Sequence, residues 1–333
     1  MNFFVVSLKR NLFTIVFIIF LISLLMFSEN NIQAAKSGLI LWSTKVLPCL
    51  FPFFVATELL CRTNLAYNLG KLLNTPIKKL FNVPGESFLA IFLGIISGYP
   101  VGAKVVCNLK KNKIISKIEA ERLIAFTNNS GPLFILGTIG IVMLNNKKIG
   151  TILLISHIVS ALLVGYFFRF WKKDKLDINF KEICFSSNLT PIKLSNIGEI
   201  LGDSIKNAIT SLLSICGYIV LFSVILSILN SSGIINIISS IIFNLSRIPE
   251  NVSNSSITSF IELTNGLNLL SLIYINYPLI TVLLISFFLG FGGFCVLLQV
   301  YSIISKENIS IKPYVLGKVL QGLFSVIITF IMI

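Results

Sequence analysis

The chain has 333 residues, 55% of them apolar and only 12% charged, with a mean hydropathy of +0.91. A soluble globular domain carries about twice that charged fraction, so that class is excluded, and apolar runs longer than ~18 residues point to helices that cross a bilayer. The excess of 27 basic over 13 acidic residues belongs, in such a chain, to cytoplasmic loops rather than to a nucleic-acid surface.

The expected fold is an all-α polytopic membrane protein. A transmembrane β-barrel would show ~10-residue segments of alternating hydrophobicity, and none occur. Six cysteines contain no C-x-x-C pair and His157 is the lone histidine, so neither a metal cage nor a catalytic triad has the material it needs. No cofactor and no enzymatic activity are expected.

The first apolar run, Leu12 to Phe27, follows Lys9 and Arg10. It reads as an uncleaved helix leading into an external polar loop that ends near residue 37, with cleavage after Ala34 and Ala35 as the alternative. Further runs are Gly38 to Leu60, Ser87 to Leu109, Ala120 to Leu144, Ile149 to Trp171, Ala208 to Leu229, Ile234 to Leu245, Ile257 to Ile275, Tyr277 to Ile304 and Tyr314 to Ile333. A polar stretch over 172–206 reads as a cytoplasmic linker dividing residues 38–171 from residues 207–333.

Loop charge predicts the path. If Ser87 to Leu109 enters from the cytoplasm and returns, and the N-terminus is internal, all but six of the 27 basic residues fall on the cytoplasmic side. The six are Lys36, Lys147, Lys148 and Arg247 outside, and Lys45 and Lys104 embedded. That asymmetry follows the positive-inside rule and counts Lys318 in a cytoplasmic loop. The halves also resemble each other. Phe92 to Gly98 lines up with Phe260 to Gly266, Lys45 to Leu60 with Leu212 to Ser227, and Leu123 to Phe126 with Leu284 to Phe287, placing Gly131 opposite Gly292. On the charge-derived path the halves start from opposite sides, an inverted-repeat arrangement found in transporters.

Polar breaks inside apolar runs are the candidate site. In Ser97-Gly98-Tyr99-Pro100, Gly98 permits unusual backbone angles and Pro100 pushes Tyr99 away from helical geometry. A new half-helix is expected to start at Pro100, with Ser97 near its cap. Lys104, one turn on, reads either as a counter-charge for an anion or as a lysine that snorkels to the surface. The second break, Thr127-Asn128-Asn129-Ser130-Gly131-Pro132, follows a helix opened by the capping box Ser116-Lys-Ile-Glu119. Two half-helix N-termini would converge here and attract anions. The third break, Glu262-Leu-Thr264-Asn265-Gly266, embeds an acid that either binds a cation, relays a proton, pairs with Lys104 or bonds neighbouring amides. Gly290-Phe-Gly-Gly293 offers backbone alone. Gln299 and Gln321 read as interhelical bonds, and His157 as a helix residue bonded to a neighbour.

Together, Ser97 to Lys104, Phe126 to Phe134 and Glu262 to Gly266 resemble the corresponding motifs of the sporulation integral membrane protein family YlbJ, also called SpoVV, over about Gly38 to Ile333. The family contains a nucleoside-recognition "Gate" domain, similar to parts of concentrative nucleoside transporters. The resemblance implies two Gate-like repeats and a multi-pass protein of endospore-forming bacteria, sited in the outer forespore membrane. It also implies movement of dipicolinate, pyridine-2,6-dicarboxylate. The expected partners are then a small anionic solute and the lipid bilayer, with a homo-oligomer or other sporulation membrane proteins left open. A nucleoside carrier and a non-transporting scaffold for spore assembly are the competing readings.

Overall fold

The computed structural model describes residues 2–61, 65–172 and 197–333, and their regular structure is helical throughout. The protein is an all-α polytopic membrane protein. Among the described residues four helical segments are long and apolar enough to cross a bilayer, and up to six if each sharply bent pair counts as one span.

Helix α1 (Asn2–Met26) turns by 97° at Phe27 into α2 (Ser28–Leu41). The expected external loop is therefore helical. Glu29 stands in its first turn, where the helix dipole favours an acid, and Asn31 Nδ2 reaches back to the carbonyl of Ser23 at 3.2 Å. A π-helical turn, Trp42–Val46, joins α2 to α3 (Leu47–Cys61). Part of the next expected loop is also helical: α4 (Leu65–Phe81) buries Ile77 and Phe81 and exposes Lys71, Lys78 and Lys79.

After a bend of 88° the chain enters α5 (Phe88–Ile96) and α6 (Val101–Lys111). These two helices fold back on each other. A Cβ on Gly94 would lie 3.3 Å from Gly102 Cα, and Cβ atoms on Gly94 and Gly102 would lie 1.7 and 1.9 Å from the carbonyl oxygen of Thr127. Only glycine permits that approach. The capping box is formed as expected around α7 (Lys117–Ile124): Ser116 Oγ accepts from Glu119 N at 3.2 Å, and Glu119 Oε2 from Ser116 N at 2.7 Å. A non-helical segment follows to Gly131, then a helical stretch that is π-helical over Phe134–Met143. Helix α8 (Lys147–Phe168) follows, capped by Asn146.

Residues 173–196, most of the expected linker, lie outside the described residues, as do residues 62–64; α9 (Ile197–Ser231) already begins within the linker's predicted span. Then come α10 (Ile234–Ser246), α11 (Glu250–Ile261), α12 (Leu263–Leu272), α13 (Pro278–Phe291), α14 (Gly293–Ile304) and α15 (Lys312–Met332). Helices α11 and α12 form a second hairpin, in which a Cβ on Gly266 would lie 2.1 Å from Ser259 Cα. Between α13 and α14, Gly292 and Gly293 both adopt positive φ, 88° and 76°.

Small residues set the closest helix contacts, as is usual where lipid supplies no hydrophobic drive between helices. Gly140 meets Gly150 and Gly290 meets Gly322. Helix α15 packs against α8 and α13, and α2 and α3 run along α9, where Trp42 Nε1 donates to the carbonyl of Leu212 at 3.1 Å. Two apolar cores result, and Tyr99 packs against both.

Candidate functional site

Three interruptions of helix and the first turns of α14 converge on one cavity of about 80 Å³. One water needs roughly 10–15 Å³ by the same measure, so the space suits several waters or a small solute. The α5–α6 hairpin contributes Gly98 and Tyr99; the α7 break and the helical stretch after it contribute Gly131, Phe134 and Thr138. The α11–α12 hairpin contributes Glu262, Leu263 and Thr264, and α14 contributes Cys295, Val296 and Gln299. Val46 and Leu50, with Ile215, Tyr218 and Ile219 of α9, complete the wall.

The breaks touch in pairs. A Cβ on Gly98 would lie 3.0 Å from Gly131 N, so the first hairpin tip meets the first broken helix. In the second set, a Cβ on Gly293 would lie 3.0 Å from the carbonyl oxygen of Ser259 and 3.5 Å from Leu263 N. Each hairpin thus leans on the broken helix of its own half. The start of α6 falls one residue later than expected: Val101 opens the helix, Pro100 is its N-cap, and Ser97 is the C-cap of α5.

Glu262 is the one carboxylate on the cavity wall among the described residues. Its Oε1 accepts from Thr264 N at 3.0 Å and its Oε2 from Asn265 N at 2.7 Å, so it caps α12 with both oxygens. The positive end of that half-helix is already neutralised from within the chain. The starts of α6 and α14 have no side-chain cap; at α6 the first N–H, of Val101, is taken by the carbonyl of Gly98 at 3.0 Å. No lysine or arginine lines the cavity among the described residues.

Of the residues singled out from sequence, Gly98, Tyr99, Glu262 and Thr264 line the cavity. Lys104 instead hydrogen-bonds Ser211 Oγ on α9 and lies 5.8 Å over the Phe54 ring. Ser97, Thr127, Asn128, Asn129 and Ser130 are buried behind the wall, and Asn265 contributes its backbone N–H to Glu262. Asn128 Nδ2 donates to Tyr314 Oη at 3.0 Å, and Asn129 Nδ2 to the carbonyl of Phe126 at 2.8 Å. Asn129 Oδ1 accepts from Gln321 Nε2 at 2.9 Å, and His157 Nε2 accepts the Ser130 N–H at 3.1 Å. These bonds hold the non-helical segment against α8 and α15; His157 bonds a neighbour, as expected, and Gln321 also reaches the carbonyl of His157 on α8 at 3.4 Å, the interhelical bond expected of it.

Sequence reasoning missed several wall residues. Gln299, expected to bond another helix, faces the cavity, and Thr138, Phe134 and Tyr218 join it. Gly217 beside Tyr218, Gly137 beside Thr138 and Pro132 two residues before Phe134 are the signals that mark them, whereas Gln299 sits in an apolar run with no Gly or Pro beside it. Lys318, counted in a cytoplasmic loop, is buried within α15 at 3% exposure.

The chain is 32% identical over 313 residues to the sporulation integral membrane protein YlbJ of Bacillus subtilis (strain 168), covering 90% of this chain and 76% of that relative. No family profile matches the chain, and no solved structure matches it. At that identity and coverage, with the broken hairpins on the stretches that carried the resemblance, the chain belongs to the YlbJ family of sporulation integral membrane proteins.

Proposed function

We propose that the protein is a transporter or facilitator that moves a small anionic solute, dipicolinate, across the outer forespore membrane during sporulation. The observation that supports this reading most is the convergence of three helix interruptions and the first turns of α14 on one cavity. Irregular backbone inside a membrane is stable only where protein buries it or a cavity solvates it, and transporters place their solutes at such broken helices. The two sets of broken elements would act as inverted repeats that rock about the cavity. The uncapped starts of α6 and α14 suit an anion, and Tyr99, Tyr218 and Phe134 offer ring faces to a planar aromatic solute. The choice of dipicolinate rests on the family resemblance.

A nucleoside or nucleobase is the second reading, and Glu262 favours it. A carboxylate on the wall repels a dianion and accepts hydrogen bonds from ring N–H groups. Thermal unfolding of the purified protein in detergent separates the two. Dipicolinate at about 100 times its Kd would stabilise by about 2.7 kcal/mol, with nucleosides inert. A shift with nucleosides alone would replace the anion reading by the second one.

A further inference from the structure

Helix α15 bonds the 127–131 break through Tyr314 and Gln321, contributes no residue to the cavity wall, and buries a lysine. Lys318 donates to Gln321 Oε1 at 2.8 Å and lies 6.0 Å over the Tyr314 ring. Among the described residues it makes no ion pair; the pair found there is Lys172 with Glu121. The groups facing Lys318 are few. Tyr314 is on its own helix. From α8 comes His157, whose carbonyl accepts from Gln321 at 3.4 Å and whose ring accepts from Ser130 N. Helix α13 has no ionisable side chain. On α7, Glu119 is held by Ser116, Glu121 by Trp171 and Lys172, and Arg122 by the carbonyls of Trp171 and Asn82.

An ammonium buried without a counter-charge is costly, and inside membranes such residues mark ion and proton pathways. A packing role alone would be met by an apolar side chain. On the adjoining break and α8, the side-chain atoms Thr127 Oγ1, Asn128 Oδ1 and His157 Nδ1 are buried without a protein hydrogen-bond partner, so the polar layer here is only partly satisfied.

Building on the transport reading, we propose that Lys318 is a proton-coupling residue that links solute movement to a proton gradient. Its Nζ amine takes a proton from water on one side to become an ammonium, and returns that proton to water on the other; no other bond changes. Gln321 reports the change. The ammonium can only donate, so it fixes Gln321 Oε1 towards itself and turns Nε2 to Asn129 Oδ1. A neutral amine also accepts, which frees the Gln321 amide to reverse and removes the donor from Asn129. Asn129 lies two residues before Gly131 on the cavity wall, so the charge on Lys318 and the shape of the break share one amide.

Proteoliposomes provide the test, with two readouts on the full chain. Counterflow of radiolabelled dipicolinate against unlabelled dipicolinate, without a pH gradient, reads solute movement alone. Net accumulation under a one-unit pH gradient reads coupling, and reaches about tenfold for one proton per solute. The wild type is expected to show both. Lys318→Gln, which cannot protonate, and Lys318→Arg, which keeps charge and stem but cannot release a proton, are each expected to keep counterflow within about twofold and lose the gradient response. The arginine variant decides if the glutamine variant fails to fold. A wild type that exchanges dipicolinate without responding to the gradient, or a variant that still responds, overturns the coupling role and leaves transport standing. A wild type without counterflow overturns the transport reading, and the coupling role with it.

Discussion

Gly98 and Gly131 meet backbone to backbone, close enough that a Cβ on Gly98 would stand 3.0 Å from Gly131 N. This contact places the tip of the first hairpin against the first broken helix, and both glycines face the cavity. The site is therefore built mainly from chain interruptions, with Glu262 as the one acidic side chain on its wall among the described residues.

The first hairpin depends on glycine at its crossing. Gly94→Ala and Gly102→Ala each put a methyl within 2 Å of the Thr127 carbonyl, at 1.7 and 1.9 Å. Overpacking of this kind costs about 1–3 kcal/mol. Gly217→Ala on α9, where a Cβ meets nothing within 4 Å, is expected to change stability by less than about 0.5 kcal/mol. Thermal unfolding in detergent checks the contrast, and equal effects at the three positions would remove the crossing as a stabilising contact.

Tyr314 and Asn128 tie the closing helix to the break. Tyr314→Phe removes the hydroxyl that accepts from Asn128 Nδ2, and Asn128 Oδ1 is already without a partner. The loss is expected to cost about 1–3 kcal/mol, read as a lower unfolding temperature with the same helical content by circular dichroism.

Glu262→Gln separates capping from solute choice. Both carboxylate oxygens accept backbone N–H groups, and the amide can replace only one of them, so a loss of about 1.5–3 kcal/mol in stability is expected. Removing a negative charge from the cavity wall is also expected to tighten dipicolinate by at least about tenfold, since a like charge even ~12 Å away costs about 1.4 kcal/mol at an effective dielectric of ~20. Isothermal titration of both proteins measures it; weaker dipicolinate binding would mean that the carboxylate serves the solute directly.

The return of the α5–α6 hairpin has a consequence for topology. Asn112 is exposed just beyond α6. Asn112→Cys, in a chain whose six natural cysteines are replaced by serine or alanine, is expected to react with an impermeant maleimide from the cytoplasmic side alone. Labelling from outside would contradict the re-entrant path and the inverted repeat.

Much of the framework was legible because the breaks violate their surroundings. Gly98, Pro100, Asn128, Gly131 and Glu262 are poor choices for an apolar helix interior, so each signalled an interruption, and Ser116 with Glu119 signalled a helix start. The polar helices α2 and α4 were harder to read, because their stability comes from packing on neighbours that hydropathy does not reveal. The internal match pairs Gly98 with Gly266; Gly98 stands at the tip of its hairpin, beside Gly131, whereas Gly266 packs against Ser259 where α11 and α12 cross. Lys318 and Gln299 were misplaced for a shared reason: a single polar residue in a helix shows its type but not the direction it faces.

The proposed path for an anionic solute runs through the converged breaks. Uptake of radiolabelled dipicolinate into liposomes containing the purified, folded protein, with and without excess mixed nucleosides, tests it directly. Saturable uptake that nucleosides leave unchanged, and that falls at least tenfold (about 1.4 kcal/mol) in a Gln299→Leu, Thr264→Val double variant, is the predicted result. Absence of saturable dipicolinate uptake in such a preparation would contradict the claim.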